Sequence, residues 1–290
     1  MKYRVRHSTT YSYDDTVPIC QNEAHLKPRS GANQKCLTSS LTIVPLPAQL
    51  LERSDYFGNH VAFFSIQEGH RQLSITAEST VVIAETVLPK PEETAPWETT
   101  LEVVRGSLDG PHFEARHFTF ASPYVPDTDD LLEYARPSFT PGRPQLEAVL
   151  DLTHRIFTEF KFDPTATCVN TPPSEVLRVR RGVCQDFAHL MIGCLRAVGL
   201  PARYVSGYLS TIPPPGRARM IGADVSHAWV SVYFPEHGWL DFDPTNDVVP
   251  SLRHITLGWG RDYGDICPIK GVFIGGGMHA MKVSVDVEPI

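Results

Sequence analysis

The apolar residues at positions 187, 190, 191, 194, 195 and 198 recur at the spacing of one helix face, directly after Arg181-Gly182-Val183-Cys184-Gln185-Asp186. A helix with such a stripe has to bury it, and here an antiparallel sheet is the expected support. Gly199 and Pro201 supply the stop, glycine for a left-handed turn and proline because it cannot continue the ladder. Gly182 breaks the chain just before the helix begins. Cys184 therefore sits in the first turn, on the side of Phe187 and Met191. A thiol there meets unpaired backbone N–H groups and the positive end of the helix dipole, and both favour the nucleophilic thiolate. Asp186 is accounted for as a first-turn acid complementing that dipole. Most free cysteines are small buried hydrophobes, so position alone does not make Cys184 a nucleophile. Its companions elsewhere in the chain decide.

The first companion is a hairpin. Ser226-His227-Ala228-Trp229-Val230-Ser231-Val232-Tyr233-Phe234 reads as a strand, Pro235 to Gly238 as a turn, and Trp239-Leu240-Asp241-Phe242-Asp243 as the returning strand. With a three-residue loop, Phe234 faces Gly238 and Trp229 lies opposite Asp243. His227 is then two positions along on the same face, at a diagonal distance of about 7–8 Å that side chains can bridge. A carboxylate there accepts the second N–H of the imidazole and stabilises the imidazolium. Pro244 cannot donate to a ladder, so the strand ends at Asp243 and leaves its carboxylate at a cleft rim. Asp241 and Asp224 compete for the carboxylate role. A turn held by its own Asp243 side chain is the structural alternative. Cysteine, histidine and aspartate on separate elements that can converge are what acyl transfer through a thioester requires.

These three motifs, Gly-Val-Cys-Gln-Asp-Phe-Ala-His at 182–189, His-Ala-Trp-Val at 227–230 and Gly-Trp-Leu-Asp-Phe-Asp-Pro-Thr-Asn at 238–246, stand in the order found in the bacterial transglutaminase-like superfamily. The chain resembles that family over residues 145–250. The resemblance implies a papain-like core and a Cys-His-Asp triad, with Cys184 as nucleophile, His227 as base and Asp243 as orienting acid. Gln185, Trp229, Asp262 and Tyr263 are the candidates for oxyanion donor or cleft wall, beside the backbone N–H of Cys184. The expected chemistry is acyl transfer on a peptide or protein amide, with hydrolysis favoured. An amine-accepting transglutaminase and a non-catalytic binding module on the same fold remain the alternatives. No cofactor is expected.

The rest of the chain bounds this reading. Residues 1–90 read as a β domain of sandwich type: Tyr3, Val5 and His7 alternate with polar residues, and short β-branched runs are separated by turn clusters. Residues 91–143 read as a proline-rich connector with some local structure. Residues 144–290 hold the core and a C-terminal segment that resembles the tail of the same subfamily. Its last strand, Met281 to Val287, has either domain open to it. The fold class is thus α+β. A net charge of −7 offers no basic field for nucleic acid. The N-terminal residues contain no apolar signal core, and no run approaches the ~20 apolar residues of a membrane span. The default expectation is a cytoplasmic protein without membrane contact. The six cysteines form no C-x2-C pair and the twelve histidines no HExxH, so no metal site is expected and all six cysteines are read as thiols. The irregular loop from Thr211 to Ala223, with Pro213-Pro214-Pro215-Gly216, is long enough to raise the question of a lid.

Overall fold

A computed structural model describes residues 1–211 and 225–290. The loop considered as a lid, apart from Thr211, and the competing acid Asp224 lie outside the described residues. The chain opens with β1 (Lys2–Val17), β2 (Ile19–Ala24), β3 (Gln34–Val44), β4 (Gln49–Ser54), β5 (His60–Ile66) and β6 (His70–Ile83). Along β1 the odd positions 3, 5, 7 and 9 are buried, the period-2 signature of a strand with one covered face. A sheet of order β14-β1-β6-β3 and another of order β13-β2-β5-β4, with β13 (Ile269–Ile274) and β14 (His279–Pro289) coming from the end of the chain, make up this module, around Val17, Phe64, Ile66, Leu73 and Ile75.

The proline-rich stretch that follows is more helical than its composition suggests. It carries α1 (Trp97–Gly106), α2 (Gly110–Arg116) and α3 (Asp129–Ala135). Pro96 caps α1 and Pro111 lies in the first turn of α2, the positions where a missing N–H costs nothing. Next come α4 (Gln145–Glu159), β7 (Lys161–Phe162), α5 (Pro173–Val179), β8 (Arg181–Gly182) and α6 (Cys184–Ala197). The core sheet has the order β11-β10-β9-β12, built from β9 (Ala202–Leu209), β10 (Val225–Phe234), β11 (Gly238–Phe242) and β12 (His254–Gly260). All its pairings are antiparallel. The stripe of α6 is buried with Leu146, Leu152 and Ile156 of α4 and with Ala228, Val230 and Val232 of β10. The architecture is α+β, with the cysteine helix packed on an antiparallel sheet as the periodicities require. No helix among the described residues is long and apolar enough to cross a membrane.

The chain then returns to its beginning. β13 (Ile269–Ile274) pairs with β2, and β14 (His279–Pro289) pairs with β1 over Tyr3↔Pro289 to Tyr13↔His279. The question of which module takes the last strand is thereby answered: the N-terminal one. Tyr3, Val5, Val81, Val285 and Val287 form a shared cluster with Tyr208, Ile255 and Leu257 of the core sheet, so the two modules are joined by a common apolar seam. Beside it His7, pushed down to about 4 by burial, pairs with the Tyr208 hydroxyl at 3.0 Å and with Thr9 at 2.9 Å. Val287 is fully buried in that seam. Val287→Ala is expected to lower stability by about 1–3 kcal/mol, with the β module and the core unfolding together in urea. Two separate transitions would contradict the seam.

Candidate active site

Three local devices fix the entry to α6. The β7–β8 pair sets Lys161 against Arg181 and Phe162 against Gly182, and Asp163 N–H donates to the Gly182 carbonyl at 2.9 Å. Asp186 reaches back from the third helical position to accept the Val183 N–H at 2.7 Å, the acid half of a capping box. The Thr167 hydroxyl donates to the same oxygen at 2.6 Å. A Cβ on Gly182 would lie 2.7 Å from that carboxylate oxygen and 2.9 Å from the Asp186 Cβ, so only glycine fits below it. Asp186 is therefore a buried structural acid, which goes beyond the dipole role read from its position. Burial raises its pKa, and the two donors counter that. Cys184 emerges as the first residue of α6, half-buried and packed against the main core.

The hairpin register is Phe234↔Gly238 through Val230↔Phe242, the ladder ending one residue before Asp243, which bridges Val248. His227 Nε2 lies 2.7 Å from Asp243 Oδ2, and both residues are buried. With Nε2 committed to Asp243, Nδ1 is the ring nitrogen left over, and the Cys184 side chain is near enough to act on the imidazole. Burial alone would lower the pKa of His227; the bonds to Asp243 and Cys184 overcome it and raise it from 6.5 to about 10. Asp243 shows the mirror effect. Its desolvation is outweighed by donors from His227, His254 and Asn246, and its carboxyl is held well below the usual range.

The two carboxylate oxygens of Asp243 divide the work. Oδ1 accepts the backbone N–H groups of Thr245 at 3.0 Å and Asn246 at 3.3 Å, which is the self-stabilised turn. Oδ2 receives His227, His254 Nε2 at 3.1 Å and Asn246 Nδ2 at 2.7 Å. The turn reading and the acid reading of this residue thus coexist in one side chain. His254 and Asn246 are the site residues that sequence reasoning missed. Asn246 stood inside a quoted motif and could have been found as a short-range partner of Asp243. His254, at the start of β12, bears no spacing relation to any motif.

The remaining candidates separate. Asp241 accepts the Trp229 indole N–H at 2.9 Å and makes no hydrogen bond to His227. Trp229 is fully buried with its only donor occupied there, so it is not an oxyanion donor; it packs on the His227 ring at 6.0 Å between centroids. The Gln185 side chain donates to the Val169 carbonyl at 2.9 Å and ties down the loop before α5. Asp262 is buried, accepting Tyr124 N–H and Gly264 N–H at 2.9 Å each, and is a loop anchor, not a cleft wall. Tyr263, like Cys184, packs against the main core, its N–H held by His189 Nε2 at 3.1 Å. All six cysteines are free thiols. His227, Asp243 and His254 are the one group among the described residues that could hold a metal, with ligand atoms within 4.8 Å of one another. Their 2.7 and 3.1 Å contacts are hydrogen bonds, which an ion with ~2.0 Å bonds would have to break.

Comparison with known proteins places this geometry. Residues 3–82 match the bacterial transglutaminase-like N-terminal region and residues 133–244 the transglutaminase-like superfamily. The uncharacterized protein Rv2569c of Mycobacterium tuberculosis is 43% identical over 99% of this chain and 93% of its own length. The chain belongs to the transglutaminase-like superfamily. A protein-glutamine gamma-glutamyltransferase of Pseudomonas aeruginosa is 37% identical over 92 residues, 31% of this chain and 14% of that protein. A solved structure of a proposed cysteine protease from Cytophaga hutchinsonii shares the fold at a TM-score of 0.78 and 24% identity, covering 99% of this chain and 90% of that one.

The paired shifts predict a pH profile. His227 binds its proton more tightly folded than unfolded, so its contribution is complete below about pH 6.5 and lost as pH rises to about 10. Asp243, with its folded pKa depressed, contributes fully above 3.8 and loses that contribution as pH falls below it. Urea-derived stability should therefore decline from pH 6.5 upward in the wild type. In Asp243→Asn that alkaline decline should flatten, and an unchanged slope would refute the pairing.

Proposed function

We propose that this protein catalyses thiol-dependent acyl transfer at amide bonds of a peptide or protein, with water as the acceptor. The observation that carries the reading is the buried His227–Asp243 pair at 2.7 Å, with the thiol at the head of α6 near enough to act on the same imidazole. An imidazolium held by a buried carboxylate favours the ion-pair form of a neighbouring thiol. Family membership supports the chemistry at the same coarse level.

In this reading Cys184 Sγ attacks the carbonyl carbon, forming the C–S bond and a tetrahedral oxyanion. The unpaired N–H of Cys184 itself, in the first turn of α6, is the donor best placed for that oxygen. As the C–N bond breaks, His227 hands its Nδ1 proton to the leaving amine, and a thioester remains. Water then attacks while His227 takes its proton; the C–S bond breaks and the acid departs. Asp243 holds the ring in the orientation that keeps Nδ1 toward sulfur and stabilises its cation, without giving up a proton. His254 and Asn246 act one step further back, by keeping Oδ2 in place.

One observation favours a second reading, in which an amine resolves the thioester: the 92-residue similarity to the glutamyltransferase. Incubation with a glutamine-containing peptide and a labelled amine separates them. Hydrolysis is expected to release product without label. Incorporated label sinks the hydrolase and leaves the triad standing.

Thiol labelling tests the shared step. Cys168 is exposed, and a hydrogen bond from Thr171 leads the contacts that lower its pKa, so labelling is best read in a Cys168→Ser background. There iodoacetamide should modify Cys184 first and well below pH 8, and Asp243→Asn should slow that reaction on the order of 10²-fold. Slow, equal labelling of the cysteines would leave a non-catalytic binding module.

A further inference from the structure

Behind the catalytic pair, between the core sheet and the loop at residues 29–34, lies a cavity of about 400 Å³. Its walls include Arg203 on β9, Trp239 on β11, Trp259 on β12, Arg29 and Pro250. Cys184 is not part of it. The Arg203 guanidinium is clamped between two indoles, 4.2 Å from the Trp239 ring centre and 3.8 Å from that of Trp259. The Arg29 guanidinium lies 3.7 Å over Trp259.

The two arginines differ in what they lack. Arg29 donates to the Phe57 carbonyl at 2.9 Å and to Asn59 Oδ1 at 3.0 Å, and it feels the charge of Asp55. Arg203 is only 9% exposed, and its Nε is buried without a hydrogen-bond partner. Among the described residues no side-chain hydrogen bond engages its guanidinium. The nearby acid, Asp241, takes the Trp229 indole and reaches Arg203 only through space. Aromatic faces satisfy the flat sides of a guanidinium, whereas its edge donors want oxygen. A buried cation left without an anion is costly. Here that cation faces a void large enough for a small organic molecule, with walls of mixed character: the indoles and Pro250 on one hand, and polar groups including Gln34, Asp241 and His254 on the other.

We propose that this cavity binds a carboxylate with a flat apolar body, the carboxylate forked onto Arg203 and the body lying against Trp239, Trp259 and Pro250. The planar fork of arginine matches a carboxylate with two parallel hydrogen bonds, and the burial of the guanidinium strengthens them. The proposal does not depend on the reaction catalysed at Cys184, because Cys184, His227 and Asp243 are absent from the lining, and His254, which is in it, is not assigned a contact to the ligand.

Benzoate and benzamide, alike in shape and different in charge, provide the test. Of the four tryptophans, Trp229, Trp239 and Trp259 line the cavity, so indole fluorescence reports occupancy. Titrations run with benzoate replacing chloride at constant ionic strength. Benzoate is expected to give a saturable emission change with half-saturation about tenfold or more below that of benzamide. Arg203→Gln should abolish that preference while leaving the benzamide curve in place. If Arg203→Gln does not fold by circular dichroism, the wild-type melting temperature decides: benzoate should raise it and benzamide should not. Parallel curves for the two probes, a benzoate response that never saturates, or a preference that survives Arg203→Gln would overturn the proposal.

Discussion

The buried carboxylate of Asp243 is the point on which the site depends. An unpaired charge at that depth would cost several kcal/mol, and the fold answers with five donors from four residues. Two are backbone N–H groups of its own turn, and three are side chains from β10, β12 and the turn itself. This satisfaction does two things at once. It fixes the end of β11, and it holds the His227 ring at a single angle. Asp241, only two residues earlier on the strand, is drawn off by the Trp229 indole, so the two acids of the hairpin have distinct partners.

The sulfur comes to that imidazole from the other layer. Its position is set by the helix entry: the β7–β8 pair, the back-reaching Asp186 and the space left by Gly182 define where α6 begins. The apolar stripe of α6 then settles the helix on β10, the same strand that carries His227. The Cys184 sulfur and the His227 ring are thus positioned by one packing contact between a helix and a strand. Neither depends on a long loop for its placement, which is how reacting groups stay within a fraction of an ångström of working geometry. The N-terminal module backs this arrangement through the seam of Tyr3, Val287 and Tyr208 and through Arg29 stacked on Trp259.

What could be read from residue order was whatever local chemistry encodes. The 3.6-residue stripe of α6, the period-2 alternation of β1 and the turn residues at 235–238 each speak of a few neighbours, and each element appears where its pattern lies. The hairpin register followed from loop length, and with it the proximity of His227 to Asp243. Proline density left the local structure of residues 91–143 unspecified, because proline at a helix start is compatible with α1 and α2, and composition alone does not distinguish a first turn from a connector.

What only the tertiary structure decided were the meetings between residues far apart in the chain. That β14 closes the first sheet, that His254 joins Asp243 and that Asp262 turns inward to cap the Tyr124 loop are all outcomes of burial. Trp229, a cleft candidate by its motif, is enclosed for the same reason. Hydrophobic burial carries no direction and no sequence spacing, and a buried polar group takes whichever donor the packing brings near. Such contacts leave no period in the sequence; they exist only once two modules share a core.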